Sequence, residues 1–221
     1  MNLPDELQAE LLTQFGRRYS AGDTLYEKDE IADHVFLIHE GRLRCVKRFG
    51  ASERSMCVFH PGDVFGEDAL LGEGIRRTGA GLALTDMEVI QLDRMAFGDL
   101  LQQQPAFASG VIVQLVGRLR DAGEQLENMH LTDHASRVVN TLLRLSARLP
   151  PEGPWRLYVT PLELSSRVGL DVDAVKRAIN RLREGGYVVI DDEQIVLPDL
   201  DGLRQLRQLL DAKEAVRDGV L

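Results

Sequence analysis

Two short segments of the chain combine residue types that bind a phosphate group. Gly66 and Glu67 are followed ten residues later by Arg77. A glycine lets backbone N–H groups approach a phosphate closely, and an arginine offers a planar, bidentate partner to the phosphate oxygens. A nearby carboxylate can accept hydrogen bonds from a ribose hydroxyl. The combination predicts a site for a phosphorylated ribose.

A separate part of the chain, residues 160–197, has the order of elements found in DNA-binding domains. Thr160, Pro161 and Glu163 form a capping box, which predicts a helix that begins at Pro161 and ends at Gly169. A second helix is predicted over residues 172–184, with Asp171 as its N-cap, and two short strands are predicted over 187–190 and 194–197. Helix, turn, helix and β-hairpin together predict a winged helix–turn–helix.

The second of these helices has a polar face and an apolar face. Asp173 is able to accept a hydrogen bond from cytosine and Arg177 to pair with guanine, while Lys176 and Asn180 reach phosphates or base edges. A helix that serves only for packing is the alternative, and these four polar residues argue against it. The residues expected to face the core are Leu170, Val175, Ile179 and Leu182.

Short β-rich runs recur between residues 15 and 93, and turn signals rich in glycine separate them. Many short strands at a spacing of roughly 8–12 residues predict a β-sandwich or a small barrel. The predicted strands cover residues 24–26, 34–39, 43–47, 56–59, 81–83 and 88–92.

A long helix is predicted from Pro105 to about Leu131, and its apolar residues recur in alternating steps of three and four. A 3.5-residue period with charged flanks is typical of a helix that pairs with a partner helix. We therefore predict a parallel homodimer through residues 108–130; a helix packed only on its own barrel is the alternative. The apolar seam consists of Ile112, Leu115, Leu119, Ala122, Leu126 and Met129. Other amphipathic helices are predicted at 4–14, 94–101, 134–149 and 200–216.

The composition is that of a soluble globular protein. The chain has 221 residues, of which 44% are hydrophobic and 28% are charged, and no apolar run approaches the ~18 residues of a membrane span. The first ten residues do not have the pattern of a signal peptide, so we expect a cytoplasmic protein. The net charge of −9 arises within residues 1–133, which hold 13 Lys and Arg against 22 Asp and Glu.

This order of a β-barrel, a long dimer helix and a winged helix–turn–helix resembles the Crp/Fnr family of bacterial transcription regulators. Residues 65–71 (Phe-Gly-Glu-Asp-Ala-Leu-Leu) and 76–78 (Arg-Arg-Thr) resemble the family's phosphate-binding cassette, and Val168 and Gly169, followed by residues 175–177, resemble its helix–turn–helix. The resemblance implies an α+β fold: a cyclic-nucleotide-binding-like jelly roll (1–103), a dimerisation helix (104–132) and a winged DNA-binding domain (133–221).

The resemblance also implies roles for individual residues. In members that bind cyclic AMP, the phosphate and ribose contacts map onto Gly66, Glu67, Arg77 and Thr78, and a ligand-facing arginine of the dimer helix maps onto Arg118. A cyclic nucleotide is therefore the expected cofactor. Double-stranded promoter DNA and RNA polymerase are the expected partners. A bound effector would shift the junction near residues 131–134 between two domain arrangements.

The sequence departs from the family pattern in both domains. Asp68 stands where the cassette is usually apolar, and Ala122 and Gly123 replace the two hydroxyl residues that would contact adenine. In the second helix, Val172 replaces an arginine that reads guanine, and the wing tip at residues 191–193 is acidic. Two other functions stay open: a ligand-independent regulator set by its abundance, and a nucleotide-binding module whose winged domain binds protein.

Other chemistries have weaker support. The chain contains no sequence signature of an enzyme, and the absence of cysteine before Cys45 argues against the family's iron–sulfur sensor. Cys45 and Cys57 are interpreted as small buried apolar residues, and no metal site is predicted. His130 and His134 have a spacing that can bind metal, but we interpret them as a solvated pair at a hinge. Trp155 is either a contact for RNA polymerase or a packing anchor.

Overall fold

The structure, a computed structural model, describes residues 3–49, 52–131, 133–150, 153, 155–191 and 194–217. The chain divides into two compact units, and the division falls between Arg120 and Asp121, inside a long helix. We describe each unit by itself. The prediction of three segments, 1–103, 104–132 and 133–221, treats this helix as a part of its own.

The N-terminal unit contains two four-stranded antiparallel sheets, as the alternating sequence pattern predicts. The strand orders are β1-β8-β3-β6 and β2-β7-β4-β5. The predicted jelly-roll architecture is therefore confirmed. The strands are β1 (Gly16–Tyr19), β2 (Thr24–Tyr26), β3 (His34–Glu40), β4 (Leu43–Phe49), β5 (Ser52–Phe59), β6 (Val64–Phe65), β7 (Ala80–Ala83) and β8 (Met87–Asp93).

Strand β3 shows why this unit has two apolar layers. Phe36 and Ile38 point into the core that is shared by both sheets, whereas Val35 and Leu37 point to the opposite face. Successive side chains of a strand alternate between faces, so a strand covered on both sides is continuously apolar. Helices cover the outer face of this sheet.

The helices of this unit begin and end close to the predicted positions. Asp93 caps α2 by accepting a hydrogen bond from the backbone N–H of Ala96 at 2.8 Å. Gln114 of α3 accepts from the backbone N–H of Val64 at 3.0 Å, which holds α3 beside β6. The elements are α1 (Asp5–Phe15), a 3-10 helix (Glu67–Leu71), α2 (Arg94–Gln103) and α3 (Pro105–Met129).

The C-terminal unit is a three-stranded sheet with helices packed around one core. Its sheet has the order β10-β11-β9, and both pairings are antiparallel. Its core is formed by apolar residues from α4, α5, α6, the sheet and α7. The elements are α4 (His134–Ser146), β9 (Trp155–Leu157), α5 (Pro161–Val168), α6 (Val172–Glu184), β10 (Val189–Asp191), β11 (Gln194–Leu197) and α7 (Leu200–Arg217).

Local interactions fix the angle between α5 and α6. The hydroxyl of Thr160 accepts from the N–H of Glu163 at 3.2 Å, and the Glu163 carboxylate accepts from the N–H of Thr160 at 2.7 Å, so the predicted capping box is confirmed. Gly169 ends α5 with a φ of 72°, which a glycine adopts without strain. Asp171 caps α6 through the N–H of Ala174 at 2.7 Å, as predicted.

The last turns of α3 belong to the C-terminal unit and are held there by ion pairs. Asp121 accepts from Arg148, in the turn after α4, at 3.1 Å and from Arg167 of α5 at 2.9 Å. Glu124 lies 3.8 Å from Arg144 and 3.5 Å from Arg148. Single exposed pairs contribute little, but a network of partly buried ones orients a helix.

Three short strands are absent from the sequence prediction. Strand β1 contains two exposed arginines, β6 has only two residues, and β9 begins at Trp155, where we expected a loop. Each lies in a sheet because a longer strand supplies its hydrogen bonds: β8 for β1, β3 for β6 and β11 for β9. Such pairing is a tertiary effect with no periodic signal of its own.

The capping box gives a prediction of stability. Replacing Thr160 by Ala removes the acceptor for the N–H of Glu163, and we expect the free energy of unfolding of the C-terminal unit to fall by about 1 kcal/mol. Trp155 is the only tryptophan and packs against the core of this unit, so its fluorescence during denaturation reports the loss. The control variant Thr160→Ser keeps the acceptor and should unfold like the wild type. An unchanged midpoint for Thr160→Ala would contradict the assigned role of the cap.

Candidate functional site

The turn after β6 is built around a glycine that no other residue can replace without strain. Gly66 is buried and has a φ of 78°. A Cβ atom at this position would lie 2.9 Å from the ring of Phe36, 3.0 Å from Nη1 of Arg77 and 3.1 Å from the carbonyl oxygen of His34. The backbone of Gly66, which has no side chain, therefore lies directly beside the guanidinium group of Arg77.

Arg77 is a buried cation, and only 2% of its surface is exposed. Its Nη1 donates to the carbonyl oxygen of Gly66 at 2.8 Å, and its Nη2 donates to that of His34 at 2.6 Å. The guanidinium carbon lies 4.7 Å from the ring centroid of Tyr26 and 5.7 Å from that of Phe36. Among the described residues, no carboxylate pairs with Arg77, and its Nε has no hydrogen-bond partner.

A second arginine reaches the same turn from α3. Nη1 of Arg118 donates to the carboxylate of Glu67 at 2.8 Å, and its Nη2 donates to the carbonyl oxygen of Val64. Its guanidinium lies 5.0 Å from the ring centroid of Phe59, and its buried Nε has no partner in the described part of the chain. Glu67 therefore pairs with Arg118, and no ion pair between Glu67 and Arg77 is found among the described residues.

The structure thus brings together four of the five predicted effector residues: Gly66, Glu67, Arg77 and Arg118. Thr78 follows Arg77 and is exposed. We call these five residues the effector cluster. Two buried nitrogen donors without partners, next to a backbone with no side chain, form an environment that fits an anionic oxygen group.

Tyr26 also contacts this cluster, and the sequence analysis did not identify it. Its ring stacks with Phe36 and Phe65 at centroid distances of 6.0 and 6.3 Å. Burial raises the pKa of the Tyr26 hydroxyl well above its ordinary value, so the phenol stays neutral. No sequence signal could have assigned Tyr26 to Arg77, because Tyr26 lies on β2, Arg77 lies in the segment before β7, and the two residues meet only in the folded unit.

The base-reading positions of the dimer helix carry no polar side chains. Ala122 and Gly123 are exposed on α3, and neither supplies a hydroxyl. The phosphate and ribose contacts of the family pattern have residues of the right type in this chain, whereas the adenine contacts do not.

A candidate nucleic-acid interface lies on α6. The four predicted residues Asp173, Lys176, Arg177 and Asn180 are all exposed. Three of the residues expected to face inward are buried, and Leu170 is partly buried against the same core. Arg181 and Arg183 add two exposed cations that the sequence analysis did not single out.

The local charge of α6 is positive although the chain is acidic. The helix contains four Lys and Arg residues and two acidic residues. Among the described residues, no ion pair involves Lys176, Arg177, Arg181 or Arg183. At the wing, Arg156 of β9 donates to the carboxylate of Asp191 at 2.6 Å and so offsets one of the predicted acidic charges. Asp192 and Glu193 lie outside the described residues.

The apolar seam of α3 is largely uncovered in the single chain. Ile112, Leu119, Leu126 and Met129 are between 62% and 75% exposed, and Ala122 is exposed as well. Leu115 is partly buried against the N-terminal core. Large apolar side chains arranged along one helix are expected to be covered by a partner.

Two other sites from the sequence analysis have a defined environment. His130 and His134 are exposed, and no group of three or more potential ligands in the described ranges is arranged to hold a metal ion. Trp155 is half-buried and packs against the C-terminal core, and its ring would lie 2.8 Å from a Cβ at Gly153. These contacts favour a packing role for Trp155.

Comparisons with known proteins agree with this arrangement. A family model of the cyclic nucleotide-binding domain matches residues 16–104, and a model of the Crp-like helix-turn-helix domain matches residues 136–206. No helix in the described part of the chain is long and apolar enough to span a membrane.

Relatives match across both domains. The chain is 29% identical over 188 residues to a cyclic AMP receptor protein of Thermus thermophilus, covering 84% of each chain. It is 26% identical over 186 residues to the cAMP-activated global transcriptional regulator CRP of Pasteurella multocida, covering 81% of this chain and 88% of that protein.

A solved structure shares the fold. A CooA variant from Carboxydothermus hydrogenoformans superposes with a TM-score of 0.75 at 20% identity, covering 94% of this chain and 96% of that one. Both domain models, the relatives and this fold agree with the sequence-based resemblance. The chain belongs to the Crp/Fnr family and is a DNA-binding transcription regulator rather than an enzyme.

Proposed function

We propose that this regulator is gated by a small anionic effector, of the cyclic-nucleotide class, which binds at the effector cluster. The observation that carries the proposal is the burial of Arg77, which has no carboxylate partner among the described residues, beside the backbone of Gly66, which has no side chain. A buried cation is costly unless it is paired, and an orphaned buried donor calls for a ligand or a water. The names of the relatives, which include cyclic AMP receptor proteins, support the same class.

Different residues of the effector cluster are suited to contact the phosphate and the ribose. Arg77 and the backbone of Gly66 are placed to hold phosphate oxygens, and the exposed hydroxyl of Thr78 is able to add a donor. Glu67 is placed to accept a hydrogen bond from the free ribose hydroxyl. A bound cyclic nucleotide would supply one negative charge on the phosphate and one ribose hydroxyl, which is the chemistry that these residues are suited to recognise.

Gating requires that the contacts of the cluster differ between two states of the protein. In this structure, Arg77 donates hydrogen bonds to the carbonyl oxygens of Gly66 and His34, and Glu67 is paired with Arg118. When Glu67 turns to a ribose hydroxyl, its bond to Arg118 weakens. Arg118 lies on α3, whose last turns are bonded to the C-terminal unit, so this exchange changes the restraint on a shared helix.

A ligand-independent regulator is the second candidate. Arg77 and Arg118 already have protein acceptors, and Ala122 and Gly123 offer no hydroxyl to a base. A selection of duplex DNA by nucleotide-free protein, repeated with cyclic AMP and cyclic GMP, separates the candidates. Full affinity for a palindromic site without nucleotide would support ligand independence. Recovery of no site under any condition would favour the alternative in which the winged domain binds protein.

Replacing Arg77 tests the gate. We expect a cyclic nucleotide to raise the affinity of the wild type for its selected site by about fivefold or more. Arg77→Lys keeps a positive charge but loses the planar donors, and we expect the nucleotide to bind about tenfold more weakly or worse. Fluorescence anisotropy of labelled DNA and calorimetry of nucleotide binding measure the two effects.

The neighbouring Arg76 provides the matched control for this test. Its side chain is exposed and donates to the carbonyl oxygen of Asp29 at 2.6 Å, so Arg76→Lys should respond to nucleotide like the wild type. Circular dichroism confirms that both variants are folded. A folded Arg77→Lys protein with an undiminished nucleotide response would contradict the proposal.

We also infer that Asp173, Lys176, Arg177 and Asn180 contact DNA in the major groove. Their exposure on one helix and the absence of ion pairs to Lys176 and Arg177 among the described residues support this inference. Val172 has no group that reads guanine, so we expect a site sequence that differs from that of the cyclic-AMP-binding members. The half-sites are expected about one helical turn apart, roughly 10 base pairs.

Two substitutions on α6 distinguish base contacts from phosphate contacts. Arg177→Ala should cost about 1–3 kcal/mol and relax the preference at one base pair. Lys176→Ala should weaken binding to all sequences and reduce the slope of log K against log salt by about 1. Arg18→Ala, a charge-matched variant at an exposed position of β1, should bind DNA like the wild type. An Arg177→Ala protein that keeps both affinity and preference would contradict the assignment.

We propose that the dimer forms through residues 108–130 and pairs the two α3 helices in parallel. Placing a charge in the seam by Leu119→Glu should weaken dimerisation by about 2 kcal/mol or more, because the carboxylate loses water in the interface. Ala106→Glu, on an exposed position in the first turn of the same helix, is the control. Analytical ultracentrifugation measures both. A Leu119→Glu protein that dimerises as tightly as the control would exclude this seam.

Two further expectations complete the proposal. We propose that the loop at residues 150–155 contacts RNA polymerase, although Pro151, Glu152 and Pro154 lie outside the described residues and Trp155 is engaged in packing. We also propose a cytoplasmic location, which suits a regulator that binds chromosomal DNA.

A further inference from the structure

The two cysteines of the chain are neighbours in the folded protein. Cys45 on β4 and Cys57 on β5 are directly opposite partners in an antiparallel pairing. The register shifts immediately beside them, so that Met56 has no partner on β4. Both cysteines are free thiols, and both are partly exposed. The sequence analysis treated each one as an isolated apolar residue and did not pair them.

The pair packs against the apolar core of the N-terminal unit, and a glycine keeps space beside Cys45. Both cysteines are partly buried against that core. On the other side of β4, Cys45 faces Gly81 of β7, which has no side chain. A Cβ at Gly79 would lie 3.3 Å from Sγ of Cys45. Gly79 therefore keeps space for this thiol.

The two thiols are not equivalent. The hydrogen bond from Cys57 lowers the pKa of Cys45, and the same hydrogen bond, together with burial, raises the pKa of Cys57. The thiolate is the attacking species in thiol oxidation, so Cys45 is suited to attack and Cys57 to resolve.

Tyr26 connects this pair to the effector cluster. Tyr26 of β2 and Cys45 of β4 are both paired with Gly81, so they flank it in one sheet, and the Tyr26 ring lies 4.7 Å from the guanidinium carbon of Arg77. A Cβ at Gly81 would lie 2.7 Å from the Tyr26 ring, so the ring is closely confined. The side chain of Tyr26 therefore links Cys45 to Arg77.

We propose that Cys45 and Cys57 form a reversible intramolecular disulfide, and that this dithiol gives the regulator a redox input beside Arg77. The redox chemistry stands by itself, whereas its effect on the effector cluster rests on the proposed function. The oxidant is a hydroperoxide. The Cys45 thiolate attacks the peroxide oxygen and breaks the O–O bond; the leaving hydroxide or alkoxide takes up a proton from solvent to become water or an alcohol, and Cys45 becomes a sulfenic acid. The Cys57 thiol then attacks that sulfur, its proton leaves with the hydroxyl group as water, and the S–S bond forms.

The strand geometry favours a bond that can be reduced again. Directly opposite residues in an antiparallel pair have Cβ atoms about 4.5–5.5 Å apart, whereas a disulfide prefers about 3.5–4.5 Å. Bridging therefore draws the strands together, and the resulting strain makes reduction easier. The sulfur of Cys45 also loses its thiol hydrogen, so its contact with Tyr26 changes.

Peptide mapping tests the disulfide directly. Trypsin cleaves after Arg44, Lys47 and Arg54, so the two cysteines fall in separate peptides, residues 45–47 and 55–76. After limited treatment of the reduced full-length protein with hydrogen peroxide, we expect these peptides to be joined with the loss of two hydrogen atoms. Dithiothreitol should separate them. Disulfide-linked dimers of the chain, or sulfinic acid on unlinked peptides, would overturn the proposal.

Single variants test the assigned roles. Ser keeps a hydroxyl donor, so Cys57→Ser preserves a hydrogen bond to Cys45 and should accumulate a sulfenic acid that dimedone traps. Cys45→Ser leaves the thiol with the raised pKa, and we expect it to react about tenfold more slowly or worse, because one pKa unit changes the thiolate fraction about tenfold. Equal rates for the two variants would overturn the assignment of Cys45 as the attacking thiol.

DNA affinity tests the regulatory half. We expect oxidation to change the affinity of the wild type for its selected DNA site by about fivefold or more. Tyr26→Phe should still form the disulfide but lose this change, because it removes the hydroxyl of the residue that faces Cys45 across Gly81. A disulfide that forms without altering DNA affinity would overturn the regulatory input. If oxidation changes the DNA affinity but no cyclic nucleotide does, the proposed gate is refuted and the redox input is not.

Discussion

The arrangement of the N-terminal unit depends on how it accommodates one buried guanidinium. Arg77 has almost no contact with solvent, and burial of a charged group is costly unless other interactions replace its hydration. The carbonyl oxygens of Gly66 and His34 and the ring faces of Tyr26 and Phe36 provide part of that replacement. A cation above an aromatic ring gains about 0.5–2 kcal/mol, depending on desolvation. The orphaned Nε shows that the replacement is incomplete.

This constraint explains several features that look unrelated in the sequence. Gly66 lacks a side chain because the guanidinium occupies the space where a Cβ would lie. Glu67 is free to pair with Arg118 because Arg77 donates its hydrogen bonds to backbone carbonyl oxygens. Arg118 in turn belongs to a helix whose next turn, from Asp121, is bonded to the turn after α4 and to α5. One continuous helix therefore carries both the last residue of the effector cluster and the ion pairs of the winged domain.

Features with a repeating or local sequence pattern, such as helix caps and strands, could be predicted from the sequence. Contacts between distant segments, which depend on strand register, could not. Thr160 and Asp171 are capping residues whose partners lie three residues away, so both could be assigned from the sequence. The β-rich apolar run of β3, bounded by turn signals, also revealed a strand. The partner of Glu67, the approach of Tyr26 to Arg77 and the pairing of Cys45 with Cys57 all join distant segments. The β4–β5 pairing also contains a register shift, so even correctly predicted strands would not have placed the cysteines opposite each other.

The charge of the chain shows why a net value is a poor guide to DNA binding. The acidic excess lies within residues 1–133, whereas α6 has more cations than anions. Charges beyond about 8 Å are largely screened at physiological salt, so a phosphate responds mainly to α6 and its immediate neighbours. Asp171 opposes a phosphate less than its charge suggests, because its carboxylate accepts from the N–H of Ala174 at the positive end of the helix dipole. Asp191 is likewise paired with Arg156. An acidic protein can therefore present a basic helix to DNA.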